Sequence, residues 1–201
     1  GLVGSEMCIR DSYVEAPVVF DVKCSSELAG KIISSGGKPV MHRSGHSFMK
    51  QKMQETGAPI GGEYAAHIFF KDRWFGFDDG IYTAARIVEI LSAQDKSSSE
   101  VFAAFNSALS TPEIKLEVDE ESKFGLIDRL LELAEFPEGK LITLDGLRVE
   151  FEDGWGLVRA SNTSPSLLLR FEASNEEKLN EIKKAFKTLI HRADNRISLD
   201  F

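Results

Sequence analysis

The chain has 201 residues, of which 42% are hydrophobic and 28% are charged, a composition typical of one large or two small globular domains. Its formal net charge of -8 at pH 7 argues against a nucleic-acid surface, because such surfaces depend on clustered Lys and Arg. No apolar run approaches the roughly 20 residues of a membrane span, and no basic start precedes a hydrophobic signal segment. We therefore predict a cytoplasmic protein with neither a nucleic-acid nor a membrane partner.

The two cysteines, Cys8 and Cys24, form no CxxC motif, and no group of histidines has the spacing typical of a zinc site. We predict reduced thiols, as in a reducing compartment, and no metal site in this chain. Residues 1–12 show no hydrophobic period and do not begin with Met. We interpret them as a non-native or disordered leader and exclude them from the fold.

An alternation of short apolar runs and helical segments predicts an α/β domain over residues 13–96, with a mostly parallel or mixed sheet. The predicted strands cover residues 18–22, 39–41 and 68–70, and the predicted helices run from Ser25 to Gly36, over residues 47–55 and from Asp78 to about Leu91. The third helix has one apolar face, which consists of Ile81, Ala84, Ala85, Val88 and Leu91. Ligands of such sheets bind at the carboxyl ends of the parallel strands.

The pattern changes at residues 97–111, which we predict to be a linker with a short helix opened by a capping box of Ser97 and Glu100. Beyond it, we predict a compact α+β domain with an antiparallel sheet over residues 112–201. Its predicted strands cover residues 113–118, 141–145, 147–151, 155–159 and 167–172, and its predicted helices cover residues 122–133 and 176–190.

Residues 61–67 place a glycine pair beside a carboxylate and an imidazole, those of Glu63 and His67. The glycines permit a tight turn and the close approach of a ligand, and Glu63 can accept paired hydrogen bonds from vicinal hydroxyls. These are the properties of a sugar site, although a glycine turn leading into a buried strand explains the same residues equally well. We interpret the next carboxylates, Asp78 and Asp79, as caps of the following helix. The alternative is that either one also contacts a ligand or the neighbouring domain.

Residues 159–165 combine a guanidinium, several hydroxyls, an amide and the N–H groups of the loop, with no carboxylate inside the segment. Such a set suits the acceptor oxygens of a phosphate. The alternative is a polar hairpin loop with an incidental arginine.

Three different motifs follow one another along the chain: Gly62-Glu63-Tyr64-Ala65-Ala66-His67, Asp72-Arg73-Trp74-Phe75-Gly76-Phe77-Asp78-Asp79-Gly80 and Arg159-Ala160-Ser161-Asn162-Thr163-Ser164-Pro165. In this order and spacing they resemble the bacterial phosphomannomutase/phosphoglucomutase branch of the α-D-phosphohexomutase family. The resemblance extends over residues 18–184. Each motif alone is weak, but the three together are specific.

The resemblance implies an enzyme that interconverts hexose 6-phosphates and 1-phosphates through a phosphoserine and a hexose 1,6-bisphosphate intermediate. Such an enzyme needs a serine loop, a Mg²⁺ loop, a sugar loop and a phosphate loop, and this sequence has motifs for the last two. The resemblance thus implies a C-terminal portion whose first domain is incomplete and whose Mg²⁺ is bound by a domain absent here. The implied partners are a phosphohexose substrate and the missing N-terminal domains, and we expect a monomer that is inactive alone.

The same resemblance implies the site residues. The implied substrate-binding residues are Lys23, Gly45, His46, Glu63, Ala65 and His67, and the implied phosphate-binding residues are Arg159, Ser161, Asn162 and Thr163. His67 is in addition a candidate general acid/base. Ala65 stands where the family commonly has serine, which leaves the preference between mannose and glucose open. Asn162 favours the mannose/glucose branch over the phosphoglucosamine mutases.

Two other interpretations remain open. One is a stand-alone phosphosugar-binding module without catalysis, and the other is a portion of a phosphoglucosamine mutase-like enzyme. The module is disfavoured because a truncated first sheet leaves apolar strand edges exposed.

Overall fold

The computed structural model describes residues 15–103, 105 and 108–201, and the chain divides into two compact units between residues 107 and 108. This division lies inside the segment predicted to be a linker. The predicted leader and Cys8 lie outside the described residues. Among the described helices, none combines the length and the apolar character that crossing a membrane requires.

The first unit is built on a four-stranded sheet in the order β2-β1-β3-β4. Its elements are β1 (Pro17–Asp21), α1 (Ser26–Ser34), β2 (Lys38–His42), α2 (His46–Thr56), β3 (Ile60–Gly62), β4 (Ile68–Phe70), α3 (Gly80–Ser92) and α4 (Ser98–Ala103). Strand β1 pairs in parallel with β2 and β3, and β4 adds an antiparallel edge. The predicted mixed α/β sheet is confirmed.

Helices cover both faces of this sheet, because successive residues of β1 point to opposite sides. Phe20 packs with Ile32 of α1 on one face, and Val19 packs with Met49 and Met53 of α2 on the other. The two resulting cores leave the carboxyl ends of the parallel strands free to carry polar side chains.

The predicted apolar face of α3 is at the surface, where Ile81 and Val88 are 86% and 64% exposed. The helix instead packs through Tyr82, Arg86 and Ile90. The guanidinium of Arg86 lies over an aromatic ring of β4 and forms an ion pair 3.1 Å from Asp72. Periodicity predicts the helix correctly here, but it assigns the wrong face, because the aliphatic stem and paired charge of Arg86 replace an apolar side chain in the interface.

Gly61 and Gly62 do not form the predicted turn, because both lie in β3. The turn follows them: Glu63 N–H and Ala66 N–H bond to the carbonyls of His67 and Glu63, and Ala66 has a φ of 65°. A Cβ at Gly61 would lie 2.7 Å from the sulfur of Met53, so the Met53 side chain would have to move to admit it. A helix packs against the strand at this point.

The second unit is an antiparallel sheet in the order β5-β10-β9-β8-β7, with β6 also pairing with β10. Its elements are β5 (Leu109–Ser110), β6 (Ile114–Glu117), α5 (Lys123–Leu133), β7 (Lys140–Ile142), β8 (Leu147–Phe151), β9 (Gly154–Ala160), β10 (Ser166–Ala173) and α6 (Glu176–Ala193). The predicted α+β class is confirmed, and only the short β5 was not predicted.

Both faces of the second sheet are buried at its centre. On one face, Phe186 of α6 packs edge-to-face on Phe171 at a centroid distance of 5.4 Å and covers Gly156. The side chains on the other face form a polar cluster, in which the Trp155 indole N–H donates a hydrogen bond to Glu172 over 2.9 Å. The centre of the sheet is therefore fixed by an aromatic contact on one side and a buried hydrogen bond on the other.

We predict that Gly156→Ala lowers the free energy of unfolding of the second unit by about 1–3 kcal/mol through overpacking. The added Cβ would lie 2.5 Å from the ring of Phe186. The matched control is Gly125→Ala in α5, where no described atom lies within 4 Å of the new Cβ. The control should raise stability by about 0.5–1 kcal/mol, because alanine favours the helix. Urea denaturation measures both, and equal stabilities would contradict the prediction.

Candidate functional site

The carboxylate of Asp21, fully buried at the end of β1, connects the segments that follow the three parallel strands. It accepts a hydrogen bond from the Ser44 hydroxyl after β2 over 2.6 Å and from the Tyr64 N–H after β3 over 3.1 Å. The ammonium of Lys23 lies 3.6 Å from Asp21 Oδ2. Sequence reasoning missed Asp21, although a carboxylate at the end of a buried parallel strand is a signal of a ligand-binding edge.

The carboxylate of Glu63 is buried at the same edge. Its Oε1 accepts the N–H of Gly45 over 2.6 Å, and its Oε2 lies 3.7 Å from Nε2 of His46. Gly45 has a φ of 130°, a conformation that favours glycine. The structure therefore brings Gly45, His46 and Glu63 together, with one oxygen of Glu63 engaged by the backbone and the other facing the imidazole.

His67 is paired with Asp78, whose Oδ2 lies 2.7 Å from Nδ1 of the imidazole. The interpretation of Asp78 as a helix cap is wrong: the cap is Asp79, whose Oδ1 accepts the N–H of Tyr82 over 2.9 Å. A backbone bridge to Phe69 holds Asp78 beside the sheet instead. Because an ionised carboxylate only accepts hydrogen bonds, this pair places the proton on Nδ1 of His67 and leaves Nε2 as an acceptor.

The two imidazoles are close neighbours, with a centroid distance of 4.5 Å between His46 and His67. Their side chains are 48% and 45% exposed, so a ligand in solvent can reach them. Ala65 is exposed on the turn between Glu63 and His67 and offers only a methyl group. This edge can therefore accept hydrogen bonds at Glu63 and take up or return a proton at His67 Nε2.

In the second unit, Arg159 at the end of β9 is buried and forms an ion pair. Its Nε donates to Asp145 Oδ2 over 2.9 Å, and its Nη2 is buried without a hydrogen-bond partner among the residues that the structure describes. Asp145 belongs to the turn before β8, so a carboxylate outside the loop reaches the arginine, which the sequence analysis did not foresee. The following Gly146 has a φ of 74°, and a Cβ there would lie 2.3 Å from the carbonyl oxygen of Val158.

The loop after β9 is organised around the hydroxyl of Ser161. This oxygen accepts the N–H groups of Thr163 and Ser164 over 3.3 and 3.2 Å and the Ser164 hydroxyl over 2.9 Å. Two of the N–H groups expected to face a phosphate thus point to Ser161. The side chains of Asn162 and Thr163 are exposed.

A second cation supports the same loop from α5. Lys123 is almost fully buried, and its ammonium donates to the carbonyl of Ser164 over 3.1 Å. Its other partner is Glu120, at 2.6 Å. Sequence reasoning missed Lys123, because nothing in its neighbourhood distinguishes it from a surface lysine of a helix.

The described residues do not offer a site that fits Mg²⁺. Three of the described side chains that could ligate a metal lie close together, those of His46, His67 and Asp78. Mg²⁺ prefers oxygen ligands in an octahedral arrangement, and two imidazoles do not provide it.

Two family profiles match this chain. One, described as phosphoglucomutase/phosphomannomutase, alpha/beta/alpha domain III, matches residues 2–108, and the other, the C-terminal domain of the same proteins, matches residues 113–189. The chain belongs to the phosphoglucomutase/phosphomannomutase family. The first unit therefore corresponds to domain III of the family and the second to its C-terminal domain.

Relatives in this family are similar over most of the chain. The phosphomannomutase/phosphoglucomutase of Pseudomonas aeruginosa is 53% identical over 92% of this chain and 40% of its own length. A phosphoglucomutase of Neisseria meningitidis is 50% identical over 90% of this chain and 40% of its own length. A crystal structure of a family protein from Burkholderia thailandensis superposes with a TM-score of 0.89 at 42% identity, covering 100% of this chain and 42% of that one. This chain thus spans about two fifths of the length of these relatives.

We predict that Asp78→Ala abolishes the fixed tautomer of His67, because the acceptor that holds the proton on Nδ1 is removed. Long-range ¹H–¹⁵N NMR of the imidazoles should show the Nδ1–H tautomer in the unchanged chain and its loss in the variant. His191 in α6 serves as the internal reference, and the exposed Asp95→Ala is the matched control. An unchanged Nδ1–H signal of His67 in Asp78→Ala would contradict the pairing.

Proposed function

We propose that this chain supplies the sugar-binding and phosphate-binding parts of a phosphohexomutase that interconverts the 6-phosphates and 1-phosphates of mannose or glucose. The observation that carries the proposal is Arg159, which presents a buried and unpartnered Nη2 among the described residues beside the exposed loop side chains. A phosphoserine and a hexose 1,6-bisphosphate intermediate belong to the same proposal. When bound, Mg²⁺ would stabilise the phosphoryl group in transfer, and we infer that another part of the enzyme holds it.

The proposed phosphate site uses the free edge of the Arg159 guanidinium. Asp145 holds the Nε edge, which orients the planar fork and leaves Nη2 for a phosphate oxygen. The exposed side chains of Asn162 and Thr163 add an amide and a hydroxyl as further donors. Ser161 acts through the shape of the loop, since its oxygen already accepts hydrogen bonds from inside the loop.

The proposed sugar site lies at the carboxyl ends of the parallel strands in the first unit. Glu63 Oε2 accepts a hydrogen bond from a sugar hydroxyl. The Lys23 ammonium and the His46 imidazole contact the sugar or its phosphate. Because Oε1 of Glu63 accepts the N–H of Gly45, this carboxylate offers one oxygen fully to the sugar. Ala65 contributes backbone only, so preference between sugars must come from other contacts.

His67 is the proposed general acid/base. Its Nε2 takes the proton of the sugar hydroxyl as that oxygen attacks the phosphoryl group, and it returns the proton to the same oxygen in the reverse step. Asp78 keeps the Nδ1 proton in place and stabilises the imidazolium that forms. The chemistry requires only that Nε2 be unprotonated when the hydroxyl binds.

We expect the chain to bind glucose 1-phosphate and mannose 1-phosphate, and Arg159→Ala to weaken this binding by roughly 10- to 100-fold, as expected for a lost hydrogen bond to a charged group. Arg159→Lys should recover little, because an ammonium lacks the planar fork. Calorimetry measures the affinities, and Lys184→Ala removes one exposed charge from α6 as the control. Equal affinity of a folded Arg159→Ala chain would contradict the phosphate site.

We further expect that the chain alone does not convert glucose 1-phosphate to glucose 6-phosphate with Mg²⁺ and glucose 1,6-bisphosphate present. The reason is that the serine and metal motifs do not occur in its sequence. A coupled assay for glucose 6-phosphate tests this. Turnover that rises with the concentration of the chain and disappears in His67→Gln would contradict the expectation that the reaction requires the serine and metal motifs.

A further inference from the structure

Three potential metal ligands meet in the first unit although they are distant in the sequence. His46 opens α2, His67 precedes β4 and Asp78 precedes α3, yet one ligand atom from each lies within 4.8 Å of the others. The cluster is half exposed, so an ion in solvent can enter it. The fold, and not a local motif, brings these side chains together.

The two distances from Asp78 to the imidazoles lie on either side of the ligand spacing in a tetrahedral zinc site, and the ligand atoms of all three residues lie within 4.8 Å of one another. Bonds near 2.0–2.1 Å place neighbouring ligand atoms about 3.3 Å apart. Asp78 Oδ2 lies 3.9 Å from His46 Nε2 and 2.7 Å from His67 Nδ1. An ion that replaces the Nδ1 proton of His67 would lengthen the distance from Asp78 to His67 and shorten the distance from Asp78 to His46. Rotation of the side chains can produce both changes.

The donor chemistry favours a transition-metal ion over the hard cations. Imidazole nitrogens suit Zn²⁺ and its neighbours, whereas Mg²⁺ and Ca²⁺ prefer oxygen alone. Glu63 Oε2 lies 3.7 Å from His46 Nε2 and is a neighbour of the cluster rather than one of its three mutually close ligands. The bond from Gly45 N–H to the other oxygen of Glu63 orients that carboxylate, as outer-shell bonds do in metal sites.

We propose that His46, His67 and Asp78 bind one divalent transition-metal ion of the zinc class, with water in the fourth position. The sequence alone predicts no metal site in this chain, because only the fold brings these three ligands together. The ion occupies groups that the proposed function assigns to the sugar, so it competes with phosphohexose. This competitive consequence rests on the proposed function, whereas the metal site itself does not.

Zinc binding is tested by titrating the full chain with ZnCl₂ in a calorimeter. All proteins carry Cys8→Ser, because a free thiolate binds zinc by itself. We expect saturable binding of one ion per chain that EDTA reverses and that excess Mg²⁺ does not displace. The ¹⁵N signals of His46 and His67 should shift on binding, and those of His191 should not. Absence of saturable binding by the folded chain overturns the proposal.

Variants locate the ion. His46→Gln and Asp78→Asn should each weaken zinc binding at least about 10-fold, since even outer-shell losses have effects of that size. His191→Gln is the matched control and should keep the affinity. Circular dichroism shows whether each variant is folded. Undiminished affinity in folded His46→Gln and Asp78→Asn chains overturns the site.

The competition is tested by repeating the zinc titration with saturating glucose 1-phosphate, which should raise the apparent Kd. Arg159→Ala separates the two proposals, because it should lose affinity for phosphohexose while retaining affinity for zinc. The same variant controls for zinc that the sugar phosphate binds in solution. Zinc binding that glucose 1-phosphate leaves unchanged in a chain that binds both overturns the shared use of His46 and His67. Loss of zinc affinity in folded Arg159→Ala overturns the assignment of the ion to the three ligands.

Discussion

The buried carboxylate of Asp21 is the interaction on which the first site depends. A charge with no access to solvent is strongly destabilising unless it is paired and hydrogen-bonded, and Asp21 achieves this with the Ser44 hydroxyl, the Tyr64 N–H and the Lys23 ammonium. Ser44 immediately precedes Gly45 and His46, and Tyr64 immediately follows Glu63. Satisfying one carboxylate therefore fixes two separate segments side by side.

The second unit uses a different device for the same purpose. Arg159 is held at one edge by Asp145, and that contact exists because Gly146 lets the turn before β8 approach the backbone of β9. A guanidinium with both edges paired would have nothing to offer a ligand, and one without a partner would be too costly to bury. Pairing at Nε alone keeps the group ordered while Nη2 stays free of partners within the described residues.

Sequence patterns predict the elements of this fold well and their contacts less well. Most strands and helices follow from period and turn chemistry, but β3, whose glycines indicate a turn, and the short β5 do not. The Ser97–Glu100 capping box forms as predicted. Side-chain partners distant in sequence, such as Asp78 with His67, carry no local signal. Asp78 and Asp79 are chemically identical and adjacent, so only the path of the backbone decides which one caps the helix. The buried face of α3 was missed for a similar reason, because a paired arginine occupies the position where an apolar residue was expected.

The pairing of His67 with Asp78 makes the two proposed roles of the first site mutually exclusive. A general base at Nε2 requires the proton to stay on Nδ1, and the carboxylate keeps it there. A metal ion on Nδ1 must displace that proton, because imidazole binds metals through an unprotonated nitrogen. In the proposed function the carboxylate of Asp78 prepares His67 for proton transfer, and in the proposed metal site the same carboxylate is a ligand beside His46. Both proposals use the same geometry, so the occupant, a sugar hydroxyl or a zinc-class ion, would distinguish the two roles.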